Sequence, residues 1–273
     1  MTAFLHSCRT AGITPVENGL DCDAVVIWSI LWNGRMSKNK RTYEHYRSLG
    51  KPVLIIDVGA IEREVTWKIA VNNITSEGYY GHTDNLDWDR PKKLGVSLQK
   101  NKLNDNILIA AQHKKSLQWE GMPILEDWTV DLIHKIRKYS DRHIVVRYHP
   151  RCPYFIPTQR FKMLIMNKVI SNCVLETPMQ IESTYDAFNI DYNYHAVVNH
   201  CSGPGINAVI AGSNVLVDSK SLAYPMSIKL NQIENPPRKK NKEKWLVEIS
   251  HTEYTVDEIN NGLWLTRLKN ALE

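Results

Sequence analysis

The chain has no apolar run reaching the ~18 residues needed to cross a bilayer. Its opening residues, MTAFLHSCRT, lack a basic segment followed by an apolar one, so no secretory signal is read there. Cysteine is scarce and unpatterned. Cys8, Cys22, Cys152, Cys173 and Cys201 are odd in number and include no CxxC pair, which argues against a disulfide framework or a zinc site. The expectation is a cytoplasmic protein without a membrane span. No GxGxxG follows the first strand, which counts against a dinucleotide dehydrogenase, and no internal repeat of solenoid length is present. The formal charge of +5 is too small to demand a polyanionic partner, although it allows one.

What is present is an ordinary packed composition, 43% hydrophobic and 23% charged over 273 residues, enough for one large domain or two small α/β lobes. Residues 24–30 form a nearly continuous apolar run, as in a buried parallel strand. A basic stretch follows, then a helical pattern over 42–49 stopped by Gly50, then a strand at 52–56 ending in Asp57-Val58-Gly59. This is a strand–helix–strand unit and implies parallel pairing. Residues 62–103 read mostly as ordered loop, with a strand at 67–71. A second α/β series starts at 107–111. It continues with a helix capped by Asp127, strands at 143–147 and within 168–175, and a helix over 179–190. A strand at 196–199, a short helix at 206–211 and a strand at 214–217 complete it, and 255–272 reads as an amphipathic helical tail. The fold class expected is therefore α/β, with two Rossmann-like lobes. Residues 1–103 form the first lobe, with 255–273 packing back on it, and 104–254 form the second.

Ligands of open α/β sheets sit outside the carboxyl ends of the strands, and the polar residues cluster there. His200-Cys201-Ser202-Gly203-Pro204-Gly205 follows a buried strand and opens a helix. Ser202 can cap that helix, Gly203 and Gly205 permit close backbone approach, and the positive helix end favours a phosphate. Arg147-Tyr148-His149-Pro150-Arg151 ends another strand and offers two guanidinium forks and an imidazole. Gln112-His113-Lys114-Lys115 follows the strand at 107–111. In the first lobe Asp57 is a candidate base, with Glu62 and Glu64 as alternatives. Two basic runs, Arg35, Lys38, Lys40, Arg41 and Arg47, and Arg238, Lys239, Lys240, Lys242 and Lys244, could follow a nucleic-acid backbone. The second reads as a solvated surface. Asp87-Trp88-Asp89 has the spacing of a metal-binding DxD but leads into Arg90-Pro91, and no metal site is assigned to it.

The order of Asp57-Val58-Gly59, Gln112, Arg147-Tyr148-His149-Pro150-Arg151, then Ser202-Gly203-Pro204-Gly205 with Ala211-Gly212 resembles glycosyltransferases of the GT-B type, whose two lobes face a cleft. The nearest look is to the capsule-polysaccharide transferase group, in which an HP pair and a Ser-rich turn hold the donor nucleotide. His149-Pro150 matches the pair and Ser202 the turn. The tail, Tyr254-Thr255-Val256-Asp257-Glu258-Ile259 with Gly262 and Trp264, is similar to that group's closing segment. The chain departs from the pattern in being short and in carrying Gly-Pro-Gly where a second Ser is common. In overall type it also resembles bacteriophage enzymes that glycosylate hydroxymethylated pyrimidines in DNA, in which case the compartment is the host cytoplasm.

The resemblance implies sugar transfer from a nucleotide sugar, of the UDP type, to a hydroxyl acceptor, with modified DNA first. It implies no tightly bound cofactor, no essential metal and no obligate protein partner. Gln112, Lys114, Arg147, Arg151, His200, Ser202, Gly203 and Gly205 are the expected donor side. Asp57 and His149 are the expected catalytic pair, and Arg35, Lys38, Lys40 and Arg41 the expected DNA contacts. The rival readings are a capsule or surface-glycan transferase, a nucleotide- or nucleic-acid-binding protein without chemistry, and a sugar-nucleotide epimerase.

Overall fold

A computed structural model describes residues 1–19, 21–152, 158–176, 178–182 and 188–272. In chain order these form α1 (Thr2–Thr10), β1 (Val25–Trp28), α2 (Asn39–Ser48), β2 (Val53–Val58), β3 (Thr66–Val71) and α3 (Arg90–Lys93). Then come β4 (Asn104–Ala110), α4 (Leu125–Arg137), β5 (Ile144–Arg147), α5 (Thr158–Met166), β6 (Cys173–Glu176), β7 (Met179–Gln180), β8 (Phe188–Asn189), β9 (Tyr194–Asn199), α6 (Gly203–Ala211) and β10 (Asn214–Leu216). The chain closes with α7 (Lys242–Ser250), β11 (Glu253–Thr255), α8 (Val256–Asn260) and α9 (Leu263–Leu268). Two compact units result: residues 1–97 with 243–273, and residues 98–242. The junctions fall at 97/98 and 242/243, and α7 and β11 belong to the first unit, β11 pairing with β3.

The unit of residues 98–242 is built on a five-stranded, wholly parallel sheet in the order β10-β9-β4-β5-β6. Numbered by their sequence within this sheet, the strands run 5-4-1-2-3, the arrangement of a doubly wound nucleotide-binding sheet. Its strands are apolar on both sides, as burial on both faces requires. Ile107, Ile109, Ile144, Val146, Ala196 and Val198 share one core with Ile133 and Ile136 of α4 and Phe161 of α5. Leu108, Val145 and Val197 alternate to the opposite face and are also buried. Gly212 ends α6 in the left-handed region at φ 94°.

Two local expectations fail in this unit. The helix expected over 179–190 is instead a short antiparallel pair, Met179 opposite Asn189 and Gln180 opposite Phe188; residues 183–187 lie outside the described residues. Among the described residues of this stretch, Met179 and Ile181 are exposed and give a helix no buried apolar face. Asp127 does not cap α4. Ile124 occupies that position, and Asp127 lies in the first turn, where its carboxylate faces Arg160 at 3.3 Å.

The unit of residues 1–97 and 243–273 corrects the expectation of a second Rossmann-like lobe. Its sheet order is β1-β2-β3-β11, with β1 and β2 parallel but β2–β3 and β3–β11 antiparallel. After β2 the chain turns back at once, the Gly59 N–H donating to the Thr66 carbonyl at 2.9 Å, and no helix crosses over. A Cβ on Gly59 would lie 2.4 Å from that carbonyl, so only glycine fits the turn. The tail is two short helices, broken by Gly262 at φ 75°, and not one. Its Trp264 is buried against Phe4 of α1, ring centroids 4.3 Å apart, and donates from Nε1 to Ser7 Oγ at 3.0 Å.

Candidate functional site

In a doubly wound sheet the strand order reverses between the first strand and the fourth, and the loops leaving their carboxyl ends diverge to open a crevice. Here those strands are β4 and β9. The residues that leave β4, β5 and β9 are Ala111–His113, Tyr148–Arg151 and His200–Ser202, and the structure shows what each does.

Two histidines are held by the same device on neighbouring loops. Lys115 N donates to His113 Nδ1 at 3.0 Å, and Arg151 N donates to His149 Nδ1 at 3.1 Å. A ring nitrogen that accepts carries no proton, so both rings have theirs on Nε2. His113 spends that proton on the Arg151 carbonyl at 3.0 Å, and its ring meets His149 edge-on, centroids 5.1 Å apart. His113 is 3% exposed; burial pushes its pKa down, as do Lys115 and Lys114, against the pull of the Arg151 carbonyl. The imidazole is therefore neutral at physiological pH and acts as a strut that fixes the β5 loop. His149, half-buried, is the ring nearer solvent, and an Nε2–H is the tautomer needed to donate to an anionic oxygen.

The turn from β9 into α6 is tied down from within. Asn199, 2% exposed, donates to the Ala110 carbonyl at 2.7 Å and to Ser202 Oγ at 3.0 Å, and accepts from Ser202 N at 2.9 Å. This links the ends of β9 and β4 across the reversal point. Gln112 makes a second link. Its amide donates to Ser116 Oγ at 3.0 Å and Gln118 Oε1 at 2.5 Å, and its carbonyl accepts from Cys201 N at 3.3 Å.

Several expected donor ligands make bonds or contacts within the fold. Gln112 is a brace between two loops, since both ends of its buried amide are engaged. Ser202 stands at the N-cap of α6, but its hydroxyl bonds no helix N–H. The usual partners are the donors two and three residues on; here the first is Pro204, which has none, and Gly205 donates to the Ser202 carbonyl at 3.2 Å. Gly205 serves packing, since a Cβ there would lie 3.0 Å from Val217 Cγ1 and 3.4 Å from Ala223 Cβ. Gly203 remains at the helix mouth with the positive dipole end behind it. His200 is buried edge-on to Trp119, centroids 5.4 Å apart, and burial lowers its pKa.

Arg147, another expected donor ligand, is engaged within the fold. At 4% exposure its guanidinium donates to the Asp191 carbonyl at 2.6 Å, to both Glu176 carboxylate oxygens at 3.1 Å and to Tyr194 Oη at 3.2 Å. The rings of Tyr192 and Tyr194 lie 5.7 and 5.6 Å from its central carbon. Arg147 is the last residue of β5 and its guanidinium reaches Glu176 of β6, Tyr194 of β9 and Asp191 before it, whereas His149 and Arg151 lie past the strand. The residues left at the mouth are Lys114, exposed, with His149 and Arg151, each half-buried.

In the other unit, Asp57 is half-buried in β2. It accepts from Ser29 Oγ at 3.3 Å and from its neighbour Val58 N at 2.8 Å. Burial raises its pKa, and the Val58 N–H, Lys68, Ser29 and Arg63 only partly offset this. Ser29 follows β1 at φ 65°, an uncommon conformation for serine, held by its N–H on the Ile56 carbonyl at 2.7 Å. Two strands along the same sheet, across Lys68, lies a group that the sequence did not signal. Glu253, fully buried in β11, accepts from Ala60 N at 2.7 Å, Ile61 N at 3.0 Å and Thr66 Oγ1 at 2.7 Å, with Lys68 Nζ 3.7 Å away. Glu62 and Glu64, the alternative bases, are exposed in the turn. Arg35, Lys38 and Arg41 are exposed, and Lys40 half-exposed beside Glu44 at 3.7 Å; all four lie at or before the first turn of α2, downstream of β1. Asp87 is engaged by Lys93 at 2.6 Å and Asp89 N at 3.0 Å, and no cluster of three metal-ligating side chains occurs among the described residues.

No protein-family model matches the chain, and no curated protein matches it either. Solved structures do. The β-Kdo 2,7 transferase of KpsC from Thermosulfurimonas dismutans superposes with a TM-score of 0.45 at 13% identity, over 97% of this chain and 89% of that one. The β-Kdo 2,4 transferase of KpsC from the same organism gives 0.44 at 10%, over 92% and 90%. A protein from Listeria monocytogenes assigned as UDP-N-acetylglucosamine 2-epimerase gives 0.39 at 11%, over 99% and 77%. Likenesses this distant leave the function to be argued from the residues themselves.

Proposed function

We propose that the chain is a GT-B-type glycosyltransferase that takes a sugar from a nucleotide sugar, of the UDP type, held by residues 98–242. One observation carries the reading: the order 5-4-1-2-3 of a parallel sheet, with an anion-compatible mouth where it reverses. Lys114, Arg151, the His149 Nε2–H and the start of α6 supply positive charge and donors to one end of the sheet, and a diphosphate is the ligand chemistry they suit.

In the transfer, the acceptor oxygen bonds to the sugar's anomeric carbon as the bond from that carbon to the diphosphate breaks. His149, Arg151 and Lys114 offset the charge left on the departing nucleoside diphosphate. The acceptor proton passes to Asp57 in an inverting reaction; burial raises the basicity of that carboxylate and suits it to the task. Neither step calls on a metal. Hydroxymethylated pyrimidine in DNA is the first acceptor to test, because Arg35, Lys38 and Arg41 present exposed cations beyond β1. A surface glycan is the second.

The test is a screen of nucleotide sugars by thermal shift, each then incubated with hydroxymethylcytosine DNA, hydroxymethyluracil DNA, unmodified DNA and oligosaccharides, with products read by mass. A one-sugar gain on one acceptor class establishes the transfer and its substrate. No stabilisation by any nucleotide sugar would refute the reading.

A further inference from the structure

Helix α5 is apolar on two faces. Its inner face is spent on the core: Phe161 is 1% exposed, Leu164 and Ile165 pack on the same cluster, and Ile170 beyond the helix is buried. Its outer face is not. Met163 and Met166, one turn apart, are 57% and 78% exposed, and Val169 in the following loop is 46% exposed. A helix with apolar residues on both sides is ordinarily covered on both, and a contiguous apolar patch marks an interaction site more often than scattered residues do.

The chemistry around the patch selects the partner. Residues 158–172 contain Arg160, Lys162 and Lys168 and no carboxylate. Arg160 is turned to Glu126 at 3.0 Å and Asp127 at 3.3 Å, while Lys162 and Lys168 are exposed beside the methionines. The support is firm. Val169 N donates to the Leu164 carbonyl at 2.9 Å, and Arg137 of α4 donates to the carbonyls of Ser171 at 3.1 Å and Asn172 at 2.8 Å. A nucleic acid would meet the ammonium groups but give the thioethers no apolar medium. A second copy docked about a two-fold axis would set the patch against itself, so that the lysines of one copy meet a surface that is cationic and without carboxylates in the other. An anionic bilayer surface supplies both an apolar boundary layer and phosphate charge.

We propose that the outer face of α5 docks the protein on anionic lipid bilayers. Met163, Met166 and Val169 enter the boundary between headgroups and acyl chains, and Lys162 and Lys168 lie among the headgroup phosphates. The helix lies on the surface; among the described residues no helix is long and apolar enough to cross a membrane. The proposal is independent of any reaction at the carboxyl ends of the strands.

Co-sedimentation with vesicles of phosphatidylcholine, alone or mixed with phosphatidylglycerol, tests it. The unaltered chain should bind the mixed vesicles and not the neutral ones. A double variant, Met163→Ser with Met166→Ser, keeps the charge and should weaken binding about tenfold, which adsorption by net charge alone would not. Lys162→Gln with Lys168→Gln should weaken it by about the same factor and flatten its salt dependence. Both changes are on exposed side chains, and an unchanged Tm confirms the fold. No binding by the unaltered chain, or binding indifferent to the methionine pair, overturns the proposal. So does a dimer in light scattering that the methionine variant dissociates.

Discussion

Asp57 and Lys68 stand directly opposite each other on antiparallel β2 and β3, and the same Lys68 reaches the buried carboxylate of Glu253 at 3.7 Å. One ammonium group thus serves two carboxylates. Glu253 has its remaining needs met by two backbone N–H groups and a hydroxyl. Asp57 is left with partial compensation, and burial prevails in raising its pKa. The hydroxyl of Tyr80 is buried in the same neighbourhood with no hydrogen-bond partner among the described residues; its pKa is raised by burial and then by Glu253 and Asp57.

The sign of the Asp57 shift sets a pH signature. A carboxyl group with a raised folded pKa holds its proton longer in the folded state. Its contribution to stability is full below the ordinary carboxylate pKa and is lost as pH rises through the folded value. Asp57→Asn cannot ionise, so its Tm should equal or exceed that of the unaltered chain at about pH 7, with the gap closing by about pH 4. Sugar transfer should fall at least about a hundredfold. A lower Tm at neutral pH would contradict this account of the site.

Glu253→Gln should be costly for the opposite reason. The carboxylate accepts at both oxygens, and an amide must turn an N–H₂ toward a donor and leave Lys68 without its partner. A loss of about 3 kcal/mol in urea denaturation is expected, in the range for breaking one side of a buried pair.

The two arginines that bracket His149 should separate cleanly. Arg147→Lys breaks the buried bonds to Glu176, Asp191 and Tyr194, and should cost about 3 kcal/mol of stability while leaving the affinity of the folded protein for UDP unchanged. Arg151→Ala keeps the backbone groups that hold both histidines, so stability should stay within about 0.5 kcal/mol. Its affinity for UDP, read by calorimetry, should fall about tenfold.

Gly205→Ala sets helix propensity against packing. Alanine gains about 1 kcal/mol in a helix, but the added methyl meets the stiff, branched Val217 at 3.0 Å and overpacking costs about 1–3 kcal/mol. A net loss of about 1 kcal/mol with unchanged nucleotide affinity is the expected result. A loss of affinity without loss of stability would return Gly205 to the binding site.

The strands of residues 98–242 were legible because burial on both faces writes them as apolar runs, as in residues 107–111 and 196–199. His149, Arg151 and Lys114 were legible as polar residues immediately past such runs. Arg147 ends its strand where the sequence placed it, but its bonds to Glu176, Asp191 and Tyr194 left no local signal, because those partners lie 29 to 47 residues further on. Ser202 was read as a cap without weighing Pro204, which removes the N–H that a cap would hold. Lys68, Glu253 and Tyr80 left no local signal, since their meaning comes from β11 joining β3 across a long stretch of chain. The helix α7 was hidden by its own lysines, which masked the buried Trp245, Leu246 and Ile249.

The placement of β11 and α9 also fixes an order of events at the ribosome. Residues 98–242 are one uninterrupted stretch and can reach their native pairings as soon as they emerge. The other unit cannot, because β3 waits for β11, and Phe4 waits for Trp264, whose codon is read 260 positions later, by the difference of 264 and 4. Until then Leu54, Ile56 and Ile69 have no complete apolar cover. During each round of synthesis residues 1–97 are therefore made before residues 98–242 but mature after them, and their half-built sheet is the segment a chaperone would have to shield.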